Sequence, residues 1–129
     1  MTIHDLVAAI PYARFVGITV REEDGGALTL MKFREGLVGN RRLPAIHGGV
    51  VGAFLEMAAI VELAHETGGD RIPKPINFNV NYLRTAGPKD CVARGEVVKL
   101  GKRIAHVRVT GWQDDPGRPF ASGYGSFLL

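Results

Sequence analysis

The segment from Gly48 to about Glu66, GGVVGAFLEMAAIVELAHE, limits the fold more than any other stretch of the chain. It has the length of a long helix, it stops at Gly68-Gly69-Asp70, and it is apolar on most sides. Such a helix has to be covered by other elements. Between Val50 and Val61 a single residue can ionise, Glu56. A carboxylate buried alone costs several kcal/mol unless it is paired or neutralised, so the position is a candidate site.

Most of the remaining chain reads as strands that can cover the helix. Residues 3–10 (IHDLVAAI) are expected as a short helix, with Thr2 as N-cap and Pro11 closing it. ITVREEDGGALTLMKF, 18–33, is a hairpin about Asp24-Gly25-Gly26. GLVGNRRLPAI, 36–46, is a loop, because it carries Gly, Asn and Pro without periodicity. After the helix, INFNVNYL alternates: Ile76, Phe78, Val80 and Tyr82 on one face, Asn77, Asn79 and Asn81 on the other, wet, face. Runs 91–100 and 103–113 join at Leu100-Gly101-Lys102, and Asp114-Asp115-Pro116-Gly117 turns into a last strand, 119–128. Short turns between consecutive strands favour antiparallel pairing. The expected class is α+β, one antiparallel sheet against one long helix, in a single domain over residues 1–129. In the last strand Ala121, Gly123 and Gly125 share a face, as a shallow groove for the helix or as markers of bulges.

Composition excludes several classes. Hydrophobic residues make up 46% and charged residues 22% of the chain, which suits a globular domain with a real core. The net charge of +3 suits an anionic ligand, but Lys and Arg are scattered and no nucleic-acid-binding signature occurs. No stretch approaches the ~18 consecutive apolar residues of a membrane span. MTIHDLVAAIPYARF has neither the basic start nor the apolar run of a signal peptide. The single cysteine, Cys91, excludes an intramolecular disulfide, and a cytoplasmic protein is the expectation.

Motifs narrow the chemistry further. Ser122 and Ser126 do not sit in G-x-S-x-G, and His4, His47, His65 and His106 lack metal-ligand spacing. There is no Walker loop and no G-x-G-x-x-G, and Cys91 reads as a strand residue. What remains is Glu56 and the glycines in front of it. At a helix start the first N–H groups have no intrahelical partner and carry the positive end of the dipole. Gly48 and Gly49 let a ligand approach that backbone, where an oxyanion would be stabilised; alternatively they only permit tight packing. Glu56 lies eight residues past Gly48, about 12 Å along a helix. Both groups must come within roughly 3–3.5 Å of one carbonyl to act on it together. One straight helix cannot do this, whereas two antiparallel helices about a twofold axis can, so the chemistry predicts a dimer with two shared sites.

The residues His47-Gly48-Gly49 with Glu56, the upstream Gly39-Asn40, the later Asn81-Tyr82-Leu83-Arg84 and the closing strand resemble hotdog-fold acyl-CoA thioesterases over about residues 15–128. The nearest subgroup is the phenylacetic-acid-degradation (PaaI-like) type, with the related 4-hydroxybenzoyl-CoA thioesterases. The resemblance implies a hotdog fold, a sheet wrapped around a central helix, and hydrolysis of a fatty-acyl or aryl-acyl CoA to free acid and coenzyme A. It implies no cofactor, since coenzyme A is part of the substrate, and a homodimer that pairs into a homotetramer. Gly48 then matches the position whose N–H binds the thioester oxygen, and Glu56 the acid from the other subunit, as general base or nucleophile. His47 matches the histidine beside that glycine, Gly49 the second glycine, and Asn40 the asparagine that holds the thioester or water.

Two departures accompany the resemblance. Many relatives carry a hydroxyl residue near the start of the strand after the helix, where this chain reads Pro73-Lys74-Pro75-Ile76-Asn77; either Asn77 or a bound water substitutes, or turnover is slower. Asn40 also stands one residue further from His47 than in relatives. For the coenzyme A phosphates the candidates are Arg84, Lys89, Lys99, Lys102 and Arg103, each of which reads equally well as a solvated surface charge. The other functions in view are a hotdog dehydratase or hydratase and a noncatalytic acyl-CoA-binding module.

Overall fold

The first helix, α1 (Ile3–Ala8), opens on a capping box in which Thr2 Oγ1 accepts from Asp5 N–H and the Asp5 carboxylate accepts from Thr2 N–H. This computed structural model describes residues 2–23, 25–69 and 71–129; Asp24 of the first turn and Asp70 of the helix stop lie outside the described residues. Pro11 does not simply close α1. It stands at the start of a second helix, α2 (Pro11–Val16), where an absent N–H costs no hydrogen bond. The expected hairpin follows as β1 (Ile18–Glu23) and β2 (Gly26–Met31), with Ile18 opposite Met31.

The stretch 36–46 is more ordered than the loop expected there. A 3-10 turn, Glu35–Leu37, leads into a two-stranded ribbon of β3 (Val38–Asn40) and β4 (Ala45–Ile46). Strands of 3 and 2 residues are too short to show a period in sequence. The long helix α3 runs Gly48–Thr67 and ends on Gly68, whose φ of 91° is a left-handed cap that glycine adopts without strain. Then come β5 (Lys74–Tyr82), β6 (Cys91–Leu100), β7 (Ile104–Trp112) and β8 (Ala121–Leu128).

Six strands form one antiparallel sheet in the order β1-β2-β6-β7-β8-β5. Pairing of consecutive strands therefore fails at two places: β2 lies against β6, and β5 lies against β8, not β6, with Tyr82 opposite Ala121. Residues 83–90 carry the chain from that edge back into the sheet, leaving β5 with one side unpaired among the described residues. α3 lies across β2, β6, β7 and β8, and the core between them includes Phe54, Leu55, Leu63, Val107, Val109 and Phe127. By length and composition α3 also passes for a membrane span, contrary to expectation. Its packing on the sheet accounts for that composition without a bilayer.

Glycines set the spacing of the layers, but not where the sequence suggested. A Cβ on Gly123 or Gly125 would lie 2.5 Å from the Phe78 ring, so the small-residue face of β8 holds an aromatic of the edge strand rather than the helix. α3 comes close instead at Gly95, where a Cβ would stand 3.2 Å from Ala58 O, and at Gly111, 2.9 Å from Leu55 Cδ2. The one irregularity in the β5–β8 ladder falls on β5, between Pro75 and Asn77, and Ile76 beside it is 53% exposed.

Candidate active site

The head of α3 is held from several directions. His47 is its N-cap: the His47 Nδ1 accepts from Gly49 N–H at 2.9 Å, which puts the neutral ring's proton on Nε2. His47 N–H donates to Leu37 O, and His47 O accepts from Val50 and Val51 N–H. Gly39 of β3 sits against His47, and a Cβ there would lie 2.9 Å from His47 Cα, so only glycine lets the ribbon close on the helix start. The Gly48 N–H is left with no hydrogen-bond partner among the described residues. Beside it opens a cleft of about 350 Å³ lined by Ile46, Gly48, Val51, Tyr82, Arg84 and Phe120, among others. A free helix-start N–H at an apolar cleft suits a carbonyl that gains negative charge.

Glu56 lies two turns further along α3. It is half-buried and engages no hydrogen bond or ion pair among the described residues. Burial holds its carboxyl above the ordinary value of 4.5. At ~1.5 Å rise per residue it is too far from Gly48 for both to reach one carbonyl within a single chain. The α3 face around it is only partly covered, as Val50, Ala53 and Met57 show.

The other candidates separate. Asn40 ends β3, opposite Ala45, which lines the cleft; the Asn40 Oδ1 accepts from Arg42 N–H at 3.0 Å, a local turn bond. Gly49 is exposed beside Gly48. The Asn77 Oδ1 accepts from Ser126 N–H at 3.2 Å, at the ladder irregularity. Of the basic residues, Arg84 reaches the cleft, fixed by its Nε donating to Pro119 O at 3.1 Å. Lys89 pairs with Asp114. Lys99, Lys102 and Arg103 are exposed at the β6–β7 turn, the opposite end of β6 from the cleft, about 30 Å away along the strand. Cys91 is buried and its thiol is pushed up to about 11 by burial, in keeping with an unreactive strand residue.

Two residues were not among the site candidates. Tyr82, at the end of β5, donates its hydroxyl to Gly48 O at 2.8 Å. The signal was there: it belongs to the apolar face of the alternating strand, one step from the loop that walls the cleft. Glu62, just past the window that singled out Glu56, is the more buried carboxylate, 9% exposed, and it accepts from Ala27 N–H at 3.3 Å. Burial pushes its carboxyl up, against the Ala27 N–H, His65 and Arg94, which hold it down. Sequence shows no partner for it, because Ala27 is a backbone donor on a distant strand.

Known proteins bear on this geometry. The thioesterase superfamily model matches residues 43–120, a span that includes Gly48, Glu56 and Tyr82 and begins after Asn40. A crystal structure of a Chromobacterium violaceum protein is 35% identical, covering 97% of this chain and 87% of that one, with a TM-score of 0.76. A thioesterase-superfamily protein of Bordetella bronchiseptica is 28% identical over 98% of this chain and 95% of its own, with a TM-score of 0.89. A phenylacetic acid degradation-related protein of Ralstonia eutropha has the same fold, with a TM-score of 0.82 over 98% of both chains at 18% identity. A comparison with curated proteins found no match. With the sheet, the central helix and the His-Gly-Gly start all in place, the chain is a hotdog-fold member of the thioesterase superfamily.

Proposed function

We propose that the protein hydrolyses fatty-acyl or aryl-acyl coenzyme A thioesters to the free acid and coenzyme A, at two sites shared by two copies of this single domain. The observation that carries this reading is the pairing, on one helix, of a Gly48 N–H at an open cleft and a half-buried Glu56, neither with a partner among the described residues. The thioester oxygen would lie against the Gly48 N–H. Glu56 of the other copy would take a proton from water as the water oxygen bonds to the carbonyl carbon. The tetrahedral intermediate then collapses, the C–S bond breaks, and the departing thiolate recovers the proton from Glu56. If Glu56 attacks directly instead, the C–S bond breaks to give an anhydride that water cleaves.

Three features support the shared site. Among the described residues the outer side of β5 has no strand beside it, Tyr82 on that strand is 60% exposed, and the α3 face bearing Glu56 is incompletely covered. Two antiparallel copies of α3 would bring Gly48 of each toward Glu56 of the other. The same antiparallel placement would move the second copy's Lys99, Lys102 and Arg103 to the Gly48 end, where they and Arg84 could meet the phosphates of coenzyme A.

A thiol-release assay over short, long and aryl acyl-CoA esters tests the proposal. Free coenzyme A with at least one ester, at a rate that depends on Glu56, is the expected result. Hydration of an enoyl-CoA without thiol release would make the protein a hydratase, and tight binding of every ester without turnover would make it a carrier.

A further inference from the structure

The peptide unit joining Gly48 to Gly49 is gripped at both ends by side chains. Its carbonyl, Gly48 O, accepts from the Tyr82 hydroxyl at 2.8 Å, and its N–H, that of Gly49, donates to His47 Nδ1 at 2.9 Å. The Tyr82 ring also lies over the first turn of α3: a Cβ on Gly48 would stand 3.6 Å from the ring, and one on Gly52 would stand 3.8 Å from the Tyr82 oxygen. Glycine restricts its own backbone least of all residues, so two in succession at a helix start need outside restraint to hold one orientation. The preceding peptide unit is restrained through His47 O, which accepts from Val50 and Val51 N–H. With its neighbours on both sides tied, the Gly48 N–H keeps a fixed direction at the cleft that Gly48 lines.

We propose that Tyr82 is a positioning residue for the oxyanion donor: by bonding Gly48 O and covering Gly48 and Gly52, it aims the Gly48 N–H at the thioester oxygen. This rests on the thioesterase reading for its kinetic consequence, but not for the clamp itself. A donor aimed at where charge develops stabilises the transition state more than the ground state, so loosening it lowers kcat and leaves KM nearly unchanged. The hydroxyl and the ring make separable contributions, because Tyr82→Phe keeps the ring over the glycines and removes only the bond to Gly48 O. Tyr82 is largely exposed, so neither the fold nor the core depends on that hydroxyl.

The test compares wild type, Tyr82→Phe and Tyr82→Ala by steady-state thioester hydrolysis, thermal unfolding and amide exchange at Gly48 and Gly49 measured by NMR. The expected result for Tyr82→Phe is a kcat lower by about 3- to 30-fold, less than the ~10²–10³ of losing a donor outright. KM should stay within about twofold, Tm should be unchanged, and the Gly49 amide should exchange faster. Tyr82→Ala should lower kcat further. His47→Ala, which frees the other end of the same peptide unit, should combine with Tyr82→Phe to less than the product of the two single effects. A Tyr82→Phe enzyme with wild-type kcat, or with unchanged exchange at Gly49, overturns the positioning role. If the wild type releases no thiol from any ester, the thioesterase reading fails separately, and exchange at Gly49 alone then decides whether the clamp exists.

Discussion

Glu56 and Glu62 stand six residues apart on one helix, and burial raises the carboxyl of each, yet they sit in opposite situations. Glu62 is enclosed between helix and sheet, accepts from Ala27 N–H, and has His65, Glu66 and Arg94 around it. Gly95 makes room for it: a Cβ on Gly95 would lie 2.8 Å from Glu62 Cβ. Glu56 has lost much of its water and gained no partner among the described residues in exchange. A buried carboxylate with a donor built for it is a structural tie, whereas one without is a group waiting for a substrate, a second chain, or both.

The comparison breaks most visibly in kinetics. Glu56→Gln keeps the shape and removes the charge, so kcat should fall by about 10²–10⁴ with little change in KM, and stability should hold or rise. Because the Glu56 carboxyl is raised and must be ionised to act, the acid limb of kcat/KM should lie above 4.5 and vanish from the residual rate of the Gln variant. Wild-type turnover in Glu56→Gln would reduce the residue to packing.

Stability measurements sharpen the other half. Glu62→Ala leaves Ala27 N–H without its acceptor and should cost about 1–3 kcal/mol, measured by denaturant unfolding. The pH dependence has a definite sign. With its pKa raised in the native state, Glu62 binds its proton more tightly folded than unfolded. Its contribution is therefore intact below 4.5 and is lost as pH rises through the native value. Glu62→Gln can accept from Ala27 N–H at every pH, so it should gain on wild type as pH rises above 4.5. Parallel stability curves would show that Glu62 carries no such penalty.

The smallest effect concerns the surface charges. If Arg84 and the second copy's Lys99, Lys102 and Arg103 meet phosphate, KM for an acyl-CoA should rise several-fold with salt, while KM for the matching pantetheine thioester should hardly move. Equal salt dependence would remove these residues from the site.

Much of this was legible in the sequence because it is written in local signals. The helix from Gly48, its glycine stop, the hairpin strands and the alternating β5 each declare themselves by period or by turn chemistry. The His-Gly-Gly start and Glu56 could be picked out because one lies at a helix cap and the other interrupts an apolar run. What stayed hidden depends on contacts between distant segments. Nothing near β5 says that it borders β8, and nothing in β8 says that Gly123 and Gly125 exist to admit Phe78. The Tyr82–Gly48 bond and the Glu62–Ala27 bond each end on a backbone group, which has no letter in the sequence.

The shared site is tested most directly by mixing two crippled chains. Glu56→Gln removes the acid, and Gly48→Pro removes the N–H while suiting the helix start: His47 is already extended at ψ 135°, as a residue before proline requires. Each homodimer should be nearly inactive. After the two are unfolded together and refolded in equal amounts, half of the dimers should be mixed, and each mixed dimer should hold one site with intact Gly48 and Glu56. The shared-site reading predicts recovery of about a quarter of wild-type activity. Mixed dimers that form, as shown by mass, yet hydrolyse no faster than either parent would contradict it.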